Sequence, residues 1–348
     1  MSLEELWFGL IAVLWAAYFV LEGFDFGVGM LLPTVGRDEE DRGDMLGTIG
    51  PLWDGNEVWL VVAGGATFAA FPAWYAGAFS GLYLAVLLLL VFLVVRAVSF
   101  EWAERGDHAR WRSFWRWANT VASFGAPLLW GIALSSFLYG MPLDGDGEMT
   151  GDILDVVSSY TLLAGVAVVA LFALHGATFL TIRTRGALRR RSAAAAQKIA
   201  IPAAVLTIGF LVATVGVAHN GNERGLLGPS IAAGLTAAPL LAGVVLVLAA
   251  RPRAAFAMTA LTAAGVVGTL FCSLYPRVLV SRPGFGNSLT VSNAASDHYT
   301  LSVITVCALT LLPLVVLYQG WTYHVFRRRL TGRPDEGADT DILPTAAG

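Results

Sequence analysis

Four acidic residues and one arginine stand in stretches whose other side chains are almost all apolar. Glu22 and Asp25 lie in LEGFDFGVGM (residues 21–30), Asp54 and Glu57 lie in WDGNEVWL (53–60), and Arg96 follows VFLVV (91–95). Each acidic pair is spaced i, i+3, which puts both carboxylates on one face of a helix. An ionisable side chain inside a membrane-spanning segment costs about 2.5–3.5 kcal/mol, so it is kept where it faces a protein interior or a water path. Carboxylates gathered around one guanidinium can take up and release protons. They can equally lock helices together as buried ion pairs. The residue types alone allow both.

The elements that carry them must be membrane helices. Of 348 residues, 56% are hydrophobic and 14% charged, against about 25% charged in an average soluble domain. A spanning helix needs roughly 20 mostly apolar residues. The pattern predicts an all-α, polytopic membrane protein with nine such helices, at 6–32, 54–72, 76–96, 117–139, 157–182, 199–219, 229–250, 254–275 and 299–326. One integral membrane domain is expected over residues 1–330, then a polar tail over 331–348 that lacks the apolar content to fold. Glu4 and Glu5 stand where a signal peptide would be basic, so the first helix is expected to be retained. Pro127 and Pro239 should kink the fourth and seventh helices, while Pro202 falls near the start of the sixth.

Charge then orients the helices. Of the 22 Lys and Arg residues, 19 fall on one side of this arrangement, and Arg224, Arg277 and Arg282 fall on the other. The positive-inside rule places the N-terminus outside and the C-terminus in the cytoplasm, which requires an odd number of spans. The end of the first helix, the start of the second and the end of the third then share the cytoplasmic side. All four carboxylates and Arg96 are expected there at similar depth. Negative charge at a helix start and positive charge at a helix end also suit the helix dipole.

Plainer roles compete for each residue. Asp54 could be the N-cap of its helix, Arg96 a snorkelling anchor, and Glu22 with Asp25 a brace for Arg96. Their co-location favours a hydrated, proton-accessible pocket. His175 is embedded in the fifth helix and reads as a packed neutral histidine, with haem ligation as the alternative. His108, His219, His298 and His324 map to loops or helix ends, and there is no HExxH or CxxCH pattern. Cys272 and Cys307 read as small apolar side chains. No metal or haem held by this chain alone is expected. Gly23, Gly27 and Gly29 lie in a helix with no strand before it, so they read as helix-packing positions rather than a phosphate loop.

These stretches resemble subunit II of the cytochrome bd quinol oxidase family. The resemblance is carried by GFDFGVGM (23–30), PLWDGNEVWL (51–60), GGATFAAFP (64–72), FSGLY (79–83), Arg96 ahead of Phe100 and Glu101, and NSLTVSNAASDHYTL (287–301). They occur in order over most of the chain. The resemblance implies a fold of two four-helix bundles (about 6–139 and 157–275) plus a peripheral helix (about 299–326). It implies a non-haem subunit in a heterodimer with a haem-bearing subunit I, which carries two haems b and haem d. The complex oxidises quinol, reduces dioxygen to water and takes protons from the cytoplasm. Asp54 matches the family's proton-channel aspartate, Asp25 and Arg96 match a charged pair on the cytoplasmic side, and Trp59 matches a tryptophan on the proposed oxygen route. Glu57 replaces a glutamine of some relatives, and Arg116 stands where some have an aspartate. A structural quinone is a further implied ligand.

The proton path is thus expected to run through Asp54, Asp25, Glu57 and Glu22, with Arg96 as charge partner. An arginine-rich, lysine-poor composition suggests a high-GC bacterium, for which menaquinol is the expected donor rather than ubiquinol. Membrane lipid is an expected partner and nucleic acid is not; small accessory subunits would leave no trace in this chain. The rival readings are a scaffolding subunit without a proton path and a secondary transporter. A transporter would place its charged groups near the bilayer midplane.

Overall fold

In the computed structural model, residues 2–106, 108–145, 147–220 and 225–326 are described. The expected polar tail (331–348) lies outside the described residues, as do Asp146, Arg224 and the arginines of 327–333. Eleven α-helices follow in order: α1 Leu3–Val35, α2 Glu39–Ile49, α3 Trp53–Ala70, α4 Pro72–Gly81, α5 Tyr83–Arg105, α6 Ala109–Tyr139, α7 Ser159–Arg183, α8 Gly186–His219, α9 Leu227–Leu248, α10 Pro252–Leu274 and α11 His298–Val325. A short antiparallel pair, β1 Arg277–Leu279 and β2 Leu289–Thr290, lies between α10 and α11.

Among the described residues, eight helices are long and apolar enough to cross a membrane: α1, α5, α6, α7, α8, α9, α10 and α11. The remaining expected span is present as α3, but Asp54, Asn56 and Glu57 in its first two turns keep it below that apolarity. The expected third span is divided. Pro72 starts the separate short helix α4, and the chain bends again at Leu82 before α5.

Three regions expected between helices are largely helical; in 97–116, α5 runs on to Arg105 and α6 starts at Ala109. Residues 37–53 contain α2, capped by the Asp38 side chain, which accepts from the Asp41 amide at 2.8 Å. Its first turn is acidic, which suits a helix N-terminus. The basic run from Arg189 to Lys198 lies in the opening turns of α8, so Pro202 lies inside that helix rather than near its start. Glu39 pairs with Arg116 of α6 at 2.6 Å, and Asp41 pairs with Arg191 of α8, which tie α2 across that end of the molecule.

α1 is the central element and packs on α3, α6, α7 and α10. The glycine reading holds at its crossing with α7. A Cβ on Gly27 would collide with the Phe172 carbonyl oxygen and come within 2.8 Å of Gly176 Cα. The two backbones therefore meet directly, as small residues permit between membrane helices.

Candidate functional site

Four helices converge on Arg96. α1 brings Glu22 and Asp25, α3 brings Asn56 and Glu57, α5 brings Arg96, and α11 brings Gln319 and Tyr323. Glu22, Asp25, Asn56 and Arg96 are fully buried. Arg96 Nη1 makes a short ion pair with Glu22 Oε1 and lies 3.9 Å from Glu57 Oε2. Its guanidinium sits 4.6 Å from the Phe26 ring centroid and 5.4 Å from that of Phe100, within cation–π range.

Asp25 is held differently. Its Oδ2 accepts from Asn56 Nδ2 at 2.7 Å, and the same amide reaches the Leu21 carbonyl at 3.2 Å. Asn56 Oδ1 accepts in turn from Gln319 Nε2 at 2.9 Å and from Tyr323 Oη at 2.8 Å. So Asp25 and Arg96, expected as a charged pair, are not paired directly: Arg96 takes Glu22 and Glu57, and Asp25 takes an amide. Four buried atoms of the cluster make no hydrogen bond within the protein, namely Glu22 Oε2, Asp25 Oδ1, Arg96 Nε and Arg96 Nη2. Buried polar atoms are nearly always partnered. Four orphans in one cluster mark a place suited to water or a mobile proton.

Asp54 stands apart from the other three carboxylates. The N-cap of α3 is Leu52, without a side-chain cap, and Asp54 is exposed. It heads a helical stripe with Val58, Val61 and Phe68, which are 49%, 72% and 59% exposed. The i, i+3 spacing to Glu57 turns the two side chains by about 60° around the helix. That is enough to send Glu57 towards Arg96 and Asp54 outward.

Trp59 is buried and lines a mostly apolar cavity of about 550 Å³ between α1, α3 and α11, with Trp7, Leu14, Val62 and Leu311. His175 on α7 is fully buried, with Nε2 3.1 Å from the Val20 carbonyl and Nδ1 2.7 Å from Thr259 Oγ1. It stacks on Phe256 with centroids 4.6 Å apart. A carbonyl can only accept, so Nε2 donates, and in the neutral ring Nδ1 is the acceptor. No ring nitrogen is left for a haem iron. Among the described residues no cluster of His, Cys, Asp and Glu fits a metal ion.

Asn56, Gln319 and Tyr323 were not among the site residues read from sequence. Their signal was present: Asn56 sits between the two acidic residues of α3, and QGWTY (319–323) interrupts an otherwise apolar helix.

Comparison with known proteins bears on all of this. The family profile described as cytochrome bd terminal oxidase subunit II matches residues 3–326. The chain is 40% identical over 330 residues to cytochrome bd ubiquinol oxidase subunit 2 of Bacillus subtilis, covering 95% of this chain and 97% of that protein. Against cytochrome bd-I ubiquinol oxidase subunit 2 of Escherichia coli it is 36% identical over 369 residues, covering 94% and 95%. The solved bd oxidase from Geobacillus thermodenitrificans contains a chain of the same fold, with a TM-score of 0.73 at 18% identity over 94% of this chain and 99% of that one. This multi-pass protein of the bacterial cytoplasmic membrane therefore belongs to the subunit II family of cytochrome bd terminal oxidases, haem-containing oxidoreductase complexes.

Proposed function

We propose that this chain is the non-haem subunit of a quinol-oxidising terminal oxidase and delivers cytoplasmic protons to a haem-bearing partner, subunit I. It crosses the membrane nine times, with α3 as the least apolar span, the N-terminus outside and the C-terminus in the cytoplasm. α1, α3, α5 and α6 form one four-helix bundle, with the short α4 leading into α5; α7 to α10 form the second, and α11 is peripheral. The haems of the partner supply electron transfer and dioxygen binding. The residues of this chain handle protons.

The observation that carries this reading is the cluster at Arg96. Glu22 and Glu57 share one guanidinium and Asp25 lies beside them on an amide, so three carboxyl groups answer to a single cation in a largely buried setting, a surplus of acid where charge is poorly solvated. A proton arriving on the cluster relieves that surplus. The four unpartnered atoms give it places to stop. Reduction of dioxygen to water consumes one proton for each electron, so such a store is useful beside the reaction. Asp54, on the exposed stripe of α3, is the group that hands protons on. An outward-facing carboxylate on a spanning helix is costly in lipid, so the stripe is best covered by subunit I. Trp59 and its apolar cavity suit passage of dioxygen, a small apolar molecule, and a quinone could lodge in the same cavity. Menaquinol remains the expected donor.

Asp54→Asn in the purified complex tests the relay. Turnover in oxygen consumption should fall at least tenfold, about 1.4 kcal/mol in the barrier, while the haem spectrum and subunit ratio stay unchanged. Normal turnover would overturn the relay. Loss of haem and of the partner would instead make Asp54 a structural contact, as the scaffolding reading holds.

A further inference from the structure

Tyr18, Glu22 and Asp25 stand at i, i+4 and i+7 of α1, so they form one stripe along a single face of the helix. Tyr18 is 1% exposed, and Glu22 and Asp25 are fully buried. The cluster at Arg96 takes up the two carboxyl groups but gives Tyr18 no role. One turn, about 6 Å of axial rise, separates Tyr18 from Glu22. Helical side chains lean toward the N-terminus, so Glu22 leans into the turn that carries Tyr18. The charged groups that act on the Tyr18 hydroxyl are Glu22, Glu57 and Arg96.

The phenol is held in one setting. Trp130 Nε1 donates to Tyr18 Oη at 3.1 Å. The Trp15 and Trp130 rings stand edge-on to the Tyr18 ring, with centroids 6.0 and 5.9 Å away. An indole nitrogen can only donate, so Oη gives a lone pair to Trp130 and keeps its own hydrogen for another acceptor. Among the described residues none takes it. Glu22 has the opposite need. Its Oε1 pairs with Arg96, and its Oε2 is buried with no hydrogen-bond partner. A buried donor without an acceptor and a buried acceptor without a donor thus lie one turn apart on the same helix face. Buried polar groups are rarely left in that state.

We infer that Tyr18 holds Glu22 as the permanent, ionised counter-ion of Arg96, its hydroxyl reaching Glu22 Oε2 through one bound water, and that the mobile proton of the cluster belongs to Asp25 and Glu57. A buried water needs two to four polar partners. Tyr18 Oη and Glu22 Oε2 supply two, and Arg96 Nη2, unpartnered in the same cluster, supplies a third. Donors on both oxygens favour the charged form of a carboxyl group. Glu22 then has Arg96 on one oxygen and the phenol side on the other. Asp25 has an amide on Oδ2 and no protein donor on Oδ1. Glu57 stands 3.9 Å from Arg96 with its side chain 21% exposed, so it is the member within reach of the surface. The inference rests on the proton-handling reading and narrows it. Two of the three carboxyl groups exchange protons, and Tyr18 is the positioning residue that keeps the third from competing with them.

The test reads carboxyl protonation directly, by infrared absorption of the whole purified complex at rest. Glu57→Gln serves as background, which leaves Glu22 as the one glutamate of the cluster, and isotope-labelled glutamate marks its C=O band. Adding Tyr18→Phe should bring in a protonated-glutamate band of about one group per complex, which the complex with Tyr18 intact lacks. Tyr18→Phe also strands Trp130 Nε1, so Tyr18→Phe paired with Trp130→Phe is measured beside it. The pair should recover thermal stability and keep the new band. A Tyr18 that only packs would move stability and leave the carboxyl spectrum alone. No added band in either variant would overturn the inference. Normal turnover in Asp54→Asn would remove the relay and leave this band in place, so the two readings fail separately.

Discussion

Two buried polar sites lean on consecutive carbonyls of α1. The Val20 carbonyl bonds to His175, and the Leu21 carbonyl bonds to Asn56 of the Arg96 cluster. Around His175 the partners are neutral and both ring nitrogens are occupied. Around Arg96 three acidic side chains face one guanidinium, and four buried atoms lack a protein partner. Burial is therefore a poor guide to chemistry in this molecule. What separates the two sites is whether their hydrogen-bonding capacity is filled.

The contrast can be broken most forcefully at its charged side. Arg96→Met leaves Glu22 buried without its counter-ion, a change that typically costs 3–5 kcal/mol. The expected outcome is loss of the chain from membranes, read by its abundance and by the haem spectrum of the purified complex. Wild-type abundance would mean the carboxylates are neutral without Arg96. Next in size is Gly27→Leu, which forces α1 away from α7 at a point where backbone meets backbone. Overpacking of this kind costs typically 1–3 kcal/mol or more. Because α1 supports both sites, thermal stability and turnover should fall together, while Gly9→Leu, with open space around it, should leave both unchanged.

Asn56→Leu sharpens the comparison. It strips Asp25 of its amide donor and leaves Gln319 and Tyr323 facing an apolar side chain, a loss of about 1–3 kcal/mol. Oxygen consumption should drop more than stability does. His175→Phe is the smallest expected effect, below about 1.5 kcal/mol, because the Thr259 hydroxyl, freed from Nδ1, turns to the Phe256 carbonyl within its reach. Turnover and haem spectrum should be unchanged; loss of a haem signal would make His175 a ligand after all.

Much of this could be read before any coordinates. Apolar length located the eight long apolar helices, and the i, i+3 acidic pairs with Arg96 marked a region where charged side chains do meet. Three of the four carboxylates do converge there. Asp54 does not, because a shared helix face at i, i+3 still spans about 60° of rotation, and pairing rules cannot say which member turns inward. Asn56, Gln319 and Tyr323 were passed over because amides and phenols in apolar helices carry no charge to draw attention. The opening turns of α8 were hidden by their arginines, since a basic run reads as loop in a membrane protein even where the backbone stays helical. α2 was missed because its buried face is only Met45, Thr48 and Ile49.

One feature of α11 has a bearing on biogenesis. It is the last of the described helices, and its Gln319 and Tyr323 are what saturate Asn56. During synthesis α1, α3 and α5 enter the membrane first, with Asp25 leaning on an amide whose own acceptor is still open. The cluster is completed only when the final helix docks. A chain stalled or truncated before residue 319 would hold its charges in place but unsealed, and quality control could recognise it by that defect.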